Sequence, residues 1–268
     1  MKISSILRVL GFMALLLGGA LLIPTAISAA VKGPDLLALG ASALIAVGVG
    51  VGLVVFGGRE EMGVGDGFAV VTGAWMVVSL LGALPYWLSG VLPLYTDAFF
   101  EAMSGFTTTG ATVVRDIEAL PVGILFWRSF TQWLGGMGII VLTVALLPMF
   151  GVGGLQLLNA EAPGPTFERL VPRIRETAKL LWGVYVLLSA AEALLLMAGG
   201  MPSFEAVLHT FSTLATGGFS PKNASIAAYP SPYIQWVVVV FMALAGASFG
   251  LHYFALRRRS LSSYWRNA

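Results

Sequence analysis

Six apolar runs, each about as long as the ~20 residues that a helix needs to cross a bilayer, occur along this chain. Hydrophobic residues make up 57% of the sequence and charged residues 10%, whereas soluble domains carry about 25% charged residues. No soluble fold buries this much apolar surface, so we predict an all-α polytopic membrane protein. The first run exceeds the ~7–15-residue core of a cleaved secretory signal, so we interpret it as a span. The predicted spans are Ile6–Ala30, Asp35–Phe56, Gly67–Leu88, Pro121–Phe150, Ala178–Ala198 and Tyr233–Phe254.

The basic residues are distributed unevenly between the two sides of the membrane. Six spans place both termini on one side, with 11 of the 15 lysines and arginines, and leave 4 on the other side. Basic loop residues favour the cytoplasm, so we predict that both termini are cytoplasmic. The outer basic residues are then Lys32, Arg115, Arg128 and Lys222.

The two longest outer segments, Leu92–Leu120 and Gly200–Pro232, do not read as ordinary loops. Each contains an apolar stretch too short to span, "YTDAFFEAMSGF" in the first and "MPSFEAVLHTFSTL" in the second. A short helix that enters the membrane and returns fits this pattern. The polar backbone that follows it must be satisfied by protein or by a water-filled cavity.

These two segments form an internal repeat. "DAFFEAMSGFTTTGAT" aligns without gaps on "EAVLHTFSTLATGGFS" at an offset of 108 residues. In each copy a short helix and a Thr/Gly turn lie between two spans. The predicted organisation is an N-terminal hairpin (1–60), a first span–pore-helix–span repeat (65–158), a linker (159–177), a second repeat (178–256) and a basic tail (257–268).

A Thr/Gly turn after a short helix has the chemistry of an ion filter. Glycine permits the positive φ that lets successive carbonyls point one way, and rings of carbonyls replace the hydration shell of an alkali cation. The C-terminal end of the short helix adds partial negative charge. The alternative is that "TTTGAT" and "ATGGFS" are only turns that return a re-entrant helix.

The chain resembles the TrkH/KtrB family of potassium uptake proteins, and the TrkH branch most closely. The resemblance is carried along nearly the whole chain, by segments that include "FFEAMSGFTTTGATVV", "FWRSFTQWLGGMGIIVLTVALLPMFGVGG", "EAPGPTFERLVPRIRETAKLLWGVYVLL", "FSTLATGGFSPKNASI" and "LHYFALRRRSLSSYWR". It implies a potassium-channel-like pore in the bacterial inner membrane, with K⁺ as the transported substrate and no cofactor. Family members form homodimers and work with a cytoplasmic nucleotide-binding regulatory ring of the TrkA type.

The resemblance also assigns the filter residues. It implies a first filter segment at Thr107, Thr108, Thr109 and Gly110, and a second at Ala215, Thr216, Gly217 and Gly218. Thr109 and Gly110, with Gly217 and Gly218, would supply the central carbonyls that bind potassium. Glycine at both filter centres is consistent with K⁺ in this family.

The chain departs from the family in having two such units where members have four. We expect an N-terminal portion of a longer protein whose C-terminal repeats supply the other filter segments. Two alternatives stay open: copies of this chain build one pore, or the chain is a truncated, non-conducting half that inserts and binds partners.

The other polar residues have simpler expected roles. Glu101 either adds negative potential near the filter or hydrogen-bonds local backbone, and Asp97 and Glu205 fit the first turns of the short helices. His209 and His252 are expected to be packed, hydrogen-bonded residues rather than metal ligands. The glycines of "WLGGMGII" are expected to permit close helix packing.

Several function classes are excluded by composition. The chain has no cysteine for thiol chemistry, and its net charge of +2 is too small to indicate nucleic-acid binding. An intramembrane enzyme needs convergent ionisable groups, and the spans offer chiefly Glu192. We therefore predict a transporter rather than an enzyme.

Overall fold

The computed structural model describes residues 2–60, 63–146 and 173–247, together with Phe249 and His252. These residues form α-helices joined by turns, with no strand among them. The helices are α1 (Ile3–Val31), α2 (Leu36–Phe56), α3 (Val64–Leu88), α4 (Tyr95–Phe106), α5 (Val122–Leu146), α6 (Arg173–Ala198), α7 (Ser203–Leu214) and α8 (Pro232–Gly246).

Four helices of the described residues, α1, α2, α3 and α6, are long and apolar enough to cross a membrane. They coincide with four of the predicted spans. The fourth and sixth predicted spans begin as helices α5 and α8, and their predicted ends at Phe150 and Phe254 lie outside the described residues. Helix α6 begins at Arg173, so the last five positions of the predicted linker (159–177) are helical.

Helices α4 and α7 are the two short helices that the sequence predicts. Each has 12 residues, which at 1.5 Å per residue is far less than the ~30 Å of a bilayer core. Asp97 lies in the first turn of α4 and Glu205 in the first turn of α7, as predicted. Their charge meets the free N–H groups of the helix N-terminus.

The α1–α2 hairpin packs closely because small residues face each other. A Cβ built on Gly11 would lie 2.9 Å from the Gly50 carbonyl oxygen, so neither helix could approach as closely with a larger residue. At the turn of the hairpin, Asp35 accepts hydrogen bonds from Ser28 Oγ at 2.5 Å and from the backbone N–H of Ile124 at 2.8 Å. This second bond ties the hairpin to the first turn of α5, where backbone N–H groups lack helical partners.

Helix α5 lies at the centre of the described fold, between α4 and α7. Its aromatic side chains form the core, with Phe126 and Phe130 both against Phe211 of α7 at ring-centroid distances of 5.7 and 5.6 Å. Trp127 is fully buried and donates from Nε1 to the Gly82 carbonyl at 3.0 Å. Both short helices are therefore positioned by one long helix.

Candidate functional site

The turns that follow α4 and α7 have the same hydrogen bonds at the 108-residue offset. After α4, the N–H of Thr109 donates to the Ser104 carbonyl at 2.9 Å. After α7, the N–H of Gly217 donates to the Ser212 carbonyl, also at 2.9 Å. We call Thr107–Gly110 the first Thr/Gly segment and Ala215–Gly218 the second.

The two segments also share an alternating left-handed backbone. Thr108 and Gly110 have φ of 55° and 77°, and the equivalent Thr216 and Gly218 have φ of 54° and 85°. A β-branched residue with positive φ is a conformational outlier, and strained residues persist only where the surrounding structure determines them. The same outlier at equivalent positions shows that both turns adopt one specific backbone.

The structure brings the two segments into contact at their glycines. A Cβ built on Gly110 would overlap the carbonyl oxygen of Gly217. A Cβ on Gly217 would in turn overlap the side-chain amide of Gln132 in α5. Glycine is therefore required at Gly110 for both its conformation and its space, whereas a side chain at Gly217 would have to displace the Gln132 amide.

The backbone carbonyl groups of the two segments accept no hydrogen bond within the described part of the chain. Among the described residues, no backbone carbonyl of Thr107–Gly110 or Ala215–Gly218 accepts a hydrogen bond from the protein. Buried carbonyls normally find a partner, and unpaired ones are available to water or to a cation. The side chains differ in exposure: Thr109 and Thr216 are exposed, whereas Ala215 packs at the base of the second segment and is buried.

A cavity of about 430 Å³ with a mixed polar and apolar lining adjoins the second segment. It is bounded by Thr216, Gly217 and Gly218, by His209 and Ser212 of α7, and by apolar side chains of α8. His209 is buried, with its ring 5.2 Å from that of Tyr229 and with no hydrogen-bond partner for Nε2 among the described residues. His209 is packed as predicted, and the predicted hydrogen bond is not made by Nε2 within the described residues.

Glu101 is fully buried beside the first segment. It accepts hydrogen bonds from Thr112 Oγ1 at 2.9 and 3.0 Å and from the N–H of Val113 at 3.0 Å. This is the local hydrogen bonding that the sequence offered as one of two readings. The carboxylate also receives a bond of 2.7 Å from Nε of Arg128.

Sequence reasoning missed Arg128 and Gln132. It counted Arg128 among the outer loop charges, but Arg128 is 1% exposed within α5 and paired with Glu101. A charge inside an apolar run is expensive and is usually paired, and this was the available signal. Gln132 gave no signal, because a single amide in an apolar helix predicts nothing specific.

The segments continue into loops that hydrogen-bond to each other. Asn223, which follows the second segment, accepts from the N–H of Ile117 at 2.8 Å and donates to Asp116 at 2.9 Å. Its own N–H donates to Glu118 at 3.1 Å. The bond from Asn223 holds the pKa of Asp116 below its usual range.

Glu205, Lys222 and Tyr229 form a second polar group on this side. Lys222 Nζ lies 3.1 Å from Glu205, and the Tyr229 hydroxyl donates to the same carboxylate at 2.6 Å. Burial raises the pKa of Glu205, but the bonds from Tyr229 and Lys222 outweigh it, so the pKa lies below its ordinary 4.5. The bond to Glu205 raises the pKa of Lys222 above its ordinary 10.5.

We expect Glu205→Gln to lower the unfolding temperature at pH 7 by about 2–4 °C, the shift that ~1 kcal/mol gives in a chain of this size. A carboxylate with a depressed folded pKa stabilises fully above its unfolded pKa, here 4.5, and loses this contribution as the pH falls through the folded pKa. The raised pKa of Lys222 keeps its contribution intact up to about pH 10.5. The difference in unfolding temperature between the parent chain and Glu205→Gln should therefore become smaller as the pH is lowered from 7 to 3, as thermal unfolding measures.

The matched control is Glu60→Gln. Glu60 pairs with Lys2 at 3.9 Å, but both side chains are largely exposed, so no such pH-dependent difference is expected. A Glu205→Gln difference that stayed constant down to pH 3 would contradict the prediction.

One further acid and one further histidine lie in or near the helices. Glu192 of α6 is fully buried, and neither of its carboxylate oxygens has a hydrogen-bond partner within the part of the chain that the structure describes. His252 Nε2 lies 2.8 Å from the Leu244 carbonyl oxygen. Within residues 2–60, 63–146 and 173–247, no three acidic or histidine side chains lie together in a group that could hold a metal ion.

Comparison with known families decides the assignment. The model of the TrkH family, described as a cation transport protein, matches residues 38–267, which is more than half of the 268 residues. The chain belongs to the TrkH family. The resemblance that the sequence motifs indicate is thereby confirmed, and cation transport rather than enzymatic activity characterises the family.

The relatives of this TrkH-family chain are longer than it is. The Trk system potassium uptake protein TrkH of Salmonella typhimurium is 43% identical across all of this chain, which covers 56% of that protein. The protein of the same name from Halomonas elongata is 42% identical with the same coverage. The crystal structure of the potassium transporter TrkH from Vibrio parahaemolyticus matches with a TM-score of 0.86 and 36% identity, over 99% of this chain and 55% of that chain. This match confirms the predicted all-helical membrane fold.

Proposed function

We propose that this chain transports potassium across the bacterial inner membrane, as part of the membrane subunit of a Trk-type uptake system. The first and second Thr/Gly segments line the ion path with backbone carbonyls. Those of Thr109, Gly110, Gly217 and Gly218 bind K⁺ at its centre. K⁺ is the transported substrate, and no cofactor takes part.

The observation that carries this proposal is the pair of segments with one backbone geometry and free carbonyls. Left-handed residues alternate at Thr108 and Gly110 and again at Thr216 and Gly218, and no protein donor occupies the carbonyls of either segment among the described residues. Free carbonyls held in a fixed arrangement can replace the hydration shell of an alkali cation. The C-terminal ends of α4 and α7 lead directly into these segments and add partial negative charge.

The wider assembly is part of the same proposal. The relatives are named as Trk system potassium uptake proteins. From the family resemblance we further propose a homodimer that docks a cytoplasmic regulatory ring of the TrkA type. The basic residues favour cytoplasmic termini. With Arg128 buried, only Lys32, Arg115 and Lys222 count on the outer side, so the asymmetry is larger than the sequence indicated.

A second candidate function follows from the length of the chain. It spans about 56% of the relatives that it matches, and it presents two Thr/Gly segments in the described residues. A half that inserts, folds and binds partner subunits without conducting would have these properties. In that case the conducting pore would belong to a protein that also contains the other filter segments.

Potassium uptake distinguishes the two candidates. The 268-residue chain is expressed in a bacterial strain without its own potassium uptake systems, and growth is measured at limiting K⁺, with Gly110→Ser and Gly218→Ser as variants. If copies of this chain assemble a pore, we expect the parent chain to restore growth and neither variant to restore it. Absence of rescue, with the protein shown in the membrane, would assign uptake to a longer protein and leave this chain the non-conducting role.

Binding is tested separately in the purified chain. We expect K⁺ to raise the unfolding temperature more than Na⁺ at equal ionic strength, because a ligand that binds only the folded state stabilises it. Equal unfolding temperatures in the two salts would contradict selective binding of K⁺ at these segments.

A further inference from the structure

We propose that Glu101, Arg128 and Gln132 form one buried brace that sets the backbone of both Thr/Gly segments, with Arg128 and Gln132 as positioning residues for the second. We call these three residues the α5 brace, since two of them lie one turn apart on α5. The role of the brace in ion binding rests on the proposed function, whereas its hydrogen bonds do not depend on that proposal.

The first segment is closed by its own short helix. Glu101 of α4 precedes the segment and holds Thr112 and the N–H of Val113, which follow it. Ser104 of the same helix also reaches across, donating from Oγ to the Ala111 carbonyl at 2.6 Å. Both ends of the first segment are thus joined by residues of α4.

The second segment lacks these bonds from its own helix. The position equivalent to Glu101 is His209, whose ring packs against Tyr229. The position equivalent to Ser104 is Ser212, whose Oγ donates to Gln132 at 2.8 Å rather than to the chain beyond the segment. Helix α7 therefore does not close its own segment.

Gln132 of α5 supplies the missing connection. Its Oε1 accepts from Ser212 Oγ, before the second segment, and from the N–H of Phe219, after it, at 3.1 Å. Gln132 is fully buried, and its amide lies so close to Gly217 that a Cβ there would overlap it. Because Phe219 N–H can only donate, this bond also fixes which end of the amide carries the oxygen.

Arg128 joins the two closures. Its Nε donates to Glu101 at 2.7 Å, and its terminal nitrogen donates to the Ser220 carbonyl, beyond the second segment, at 3.0 Å. The guanidinium group also lies 3.7 Å from the ring centroid of Phe219. One buried side chain thus contacts the closure of the first segment and the chain that leaves the second.

A buried ion pair is expensive, so its position calls for a physical reason. An apolar pair of similar volume would often be as stable, whereas a charged pair with satisfied hydrogen bonds fixes one arrangement. Here that arrangement fixes the exits of both segments relative to α5. Residues of α4 and α5, which belong to the first repeat, therefore fix the backbone of the second Thr/Gly segment.

Hydrogen exchange of the full 268-residue chain in phospholipid nanodiscs tests the brace. Gln132→Leu keeps the side-chain size and removes the acceptor, so the Phe219 amide is expected to exchange about tenfold faster, the factor for one lost hydrogen bond. The Val113 amide should keep its parent rate. Gln235→Leu is the matched control, since the Gln235 side-chain amide donates to the Tyr229 carbonyl, which precedes α8.

The arginine is tested by charge pairing. Arg128→Gln leaves the Glu101 charge buried and unpaired, so exchange should rise at both Val113 and Phe219. Adding Glu101→Gln removes that charge and should restore part of the protection at Val113. Arg8→Gln is the control, because Arg8 likewise lies over a ring, that of Phe12, and donates to backbone carbonyls, but in the α1–α2 hairpin.

The outcomes separate the brace from the proposed function. Exchange at Phe219 that Gln132→Leu leaves unchanged, or that rises equally over all helices, overturns the brace. The same measurements are made in NaCl and in KCl. Slower exchange of the parent segments in KCl than in NaCl supports cation binding. Equal exchange in the two salts contradicts the proposed function, and the brace is then decided by the NaCl data alone.

Discussion

Gly110→Ala is expected to lower the free energy of unfolding by about 2–5 kcal/mol and to abolish selective stabilisation by K⁺. Two costs contribute: a left-handed backbone costs an L-residue about 1–2 kcal/mol, and overpacking adds about 1–3 kcal/mol. At this position the added methyl overlaps the Gly217 carbonyl, so that carbonyl must move. Thermal unfolding of the purified variant in KCl and in NaCl measures both effects.

Gly90→Ala separates the two costs. Gly90 has φ of 73°, close to the 77° of Gly110, but no heavy atom lies within 4 Å of a Cβ built there. This variant should lose only the backbone cost and should keep whatever K⁺ stabilisation the parent shows. If the two variants behaved alike, the contact between Gly110 and Gly217 would be irrelevant to cation binding.

Gly135→Ala is expected to destabilise the chain by about 3 kcal/mol, because a Cβ at this position overlaps the Phe106 carbonyl oxygen. Phe106 ends α4 and Gly135 lies in α5, so the methyl pushes α5 away from the base of the first segment. In a chain of this size the unfolding temperature should fall by about 6–12 °C. The loss should appear in the unfolding temperature in either salt.

Gly138→Ala, one turn further along α5, is the matched control. Its built Cβ meets only Trp75, at 3.9 Å, which is ordinary contact. Since alanine favours a helix over glycine by about 1 kcal/mol, this variant should be neutral or slightly more stable. Equal destabilisation by both substitutions would mean that α5 cannot tolerate any change here and that close packing at Gly135 is not the cause.

The fold was predictable because its main signals are local. Apolar runs of membrane length gave the spans, and the two short helices followed from apolar stretches that end in "TTTG" and "ATGG". The packing role of the "WLGGMG" glycines was predictable for Gly135 and Gly136, which approach Phe106 and Ala215, but not for Gly138. Close approach depends on which face of α5 meets a neighbour, and periodicity alone did not fix that face.

The brace was not predictable because its contacts are long-range. Arg128 and Ser220 are 92 residues apart in sequence, and Gln132 and Phe219 are 87 apart. A charge count over loops assigns Arg128 to the wrong environment, since it considers the side of the membrane and not the packing of a helix end. The ion-binding residues stay predictions, which the potassium measurements test. The domain boundaries also stay predictions.

The hydrogen bond between Asp35 and the N–H of Ile124 bears on the order in which the helices assemble during synthesis. It links residues 89 positions apart, and the N-terminal member leaves the ribosome first. Chains fold from the N-terminus as they are made, so the α1–α2 hairpin can be in place before α5 emerges. The Asp35 carboxylate of the hairpin is then available to accept the hydrogen bond from the first turn of α5. The hairpin can thereby align α5 before the second Thr/Gly segment has been translated.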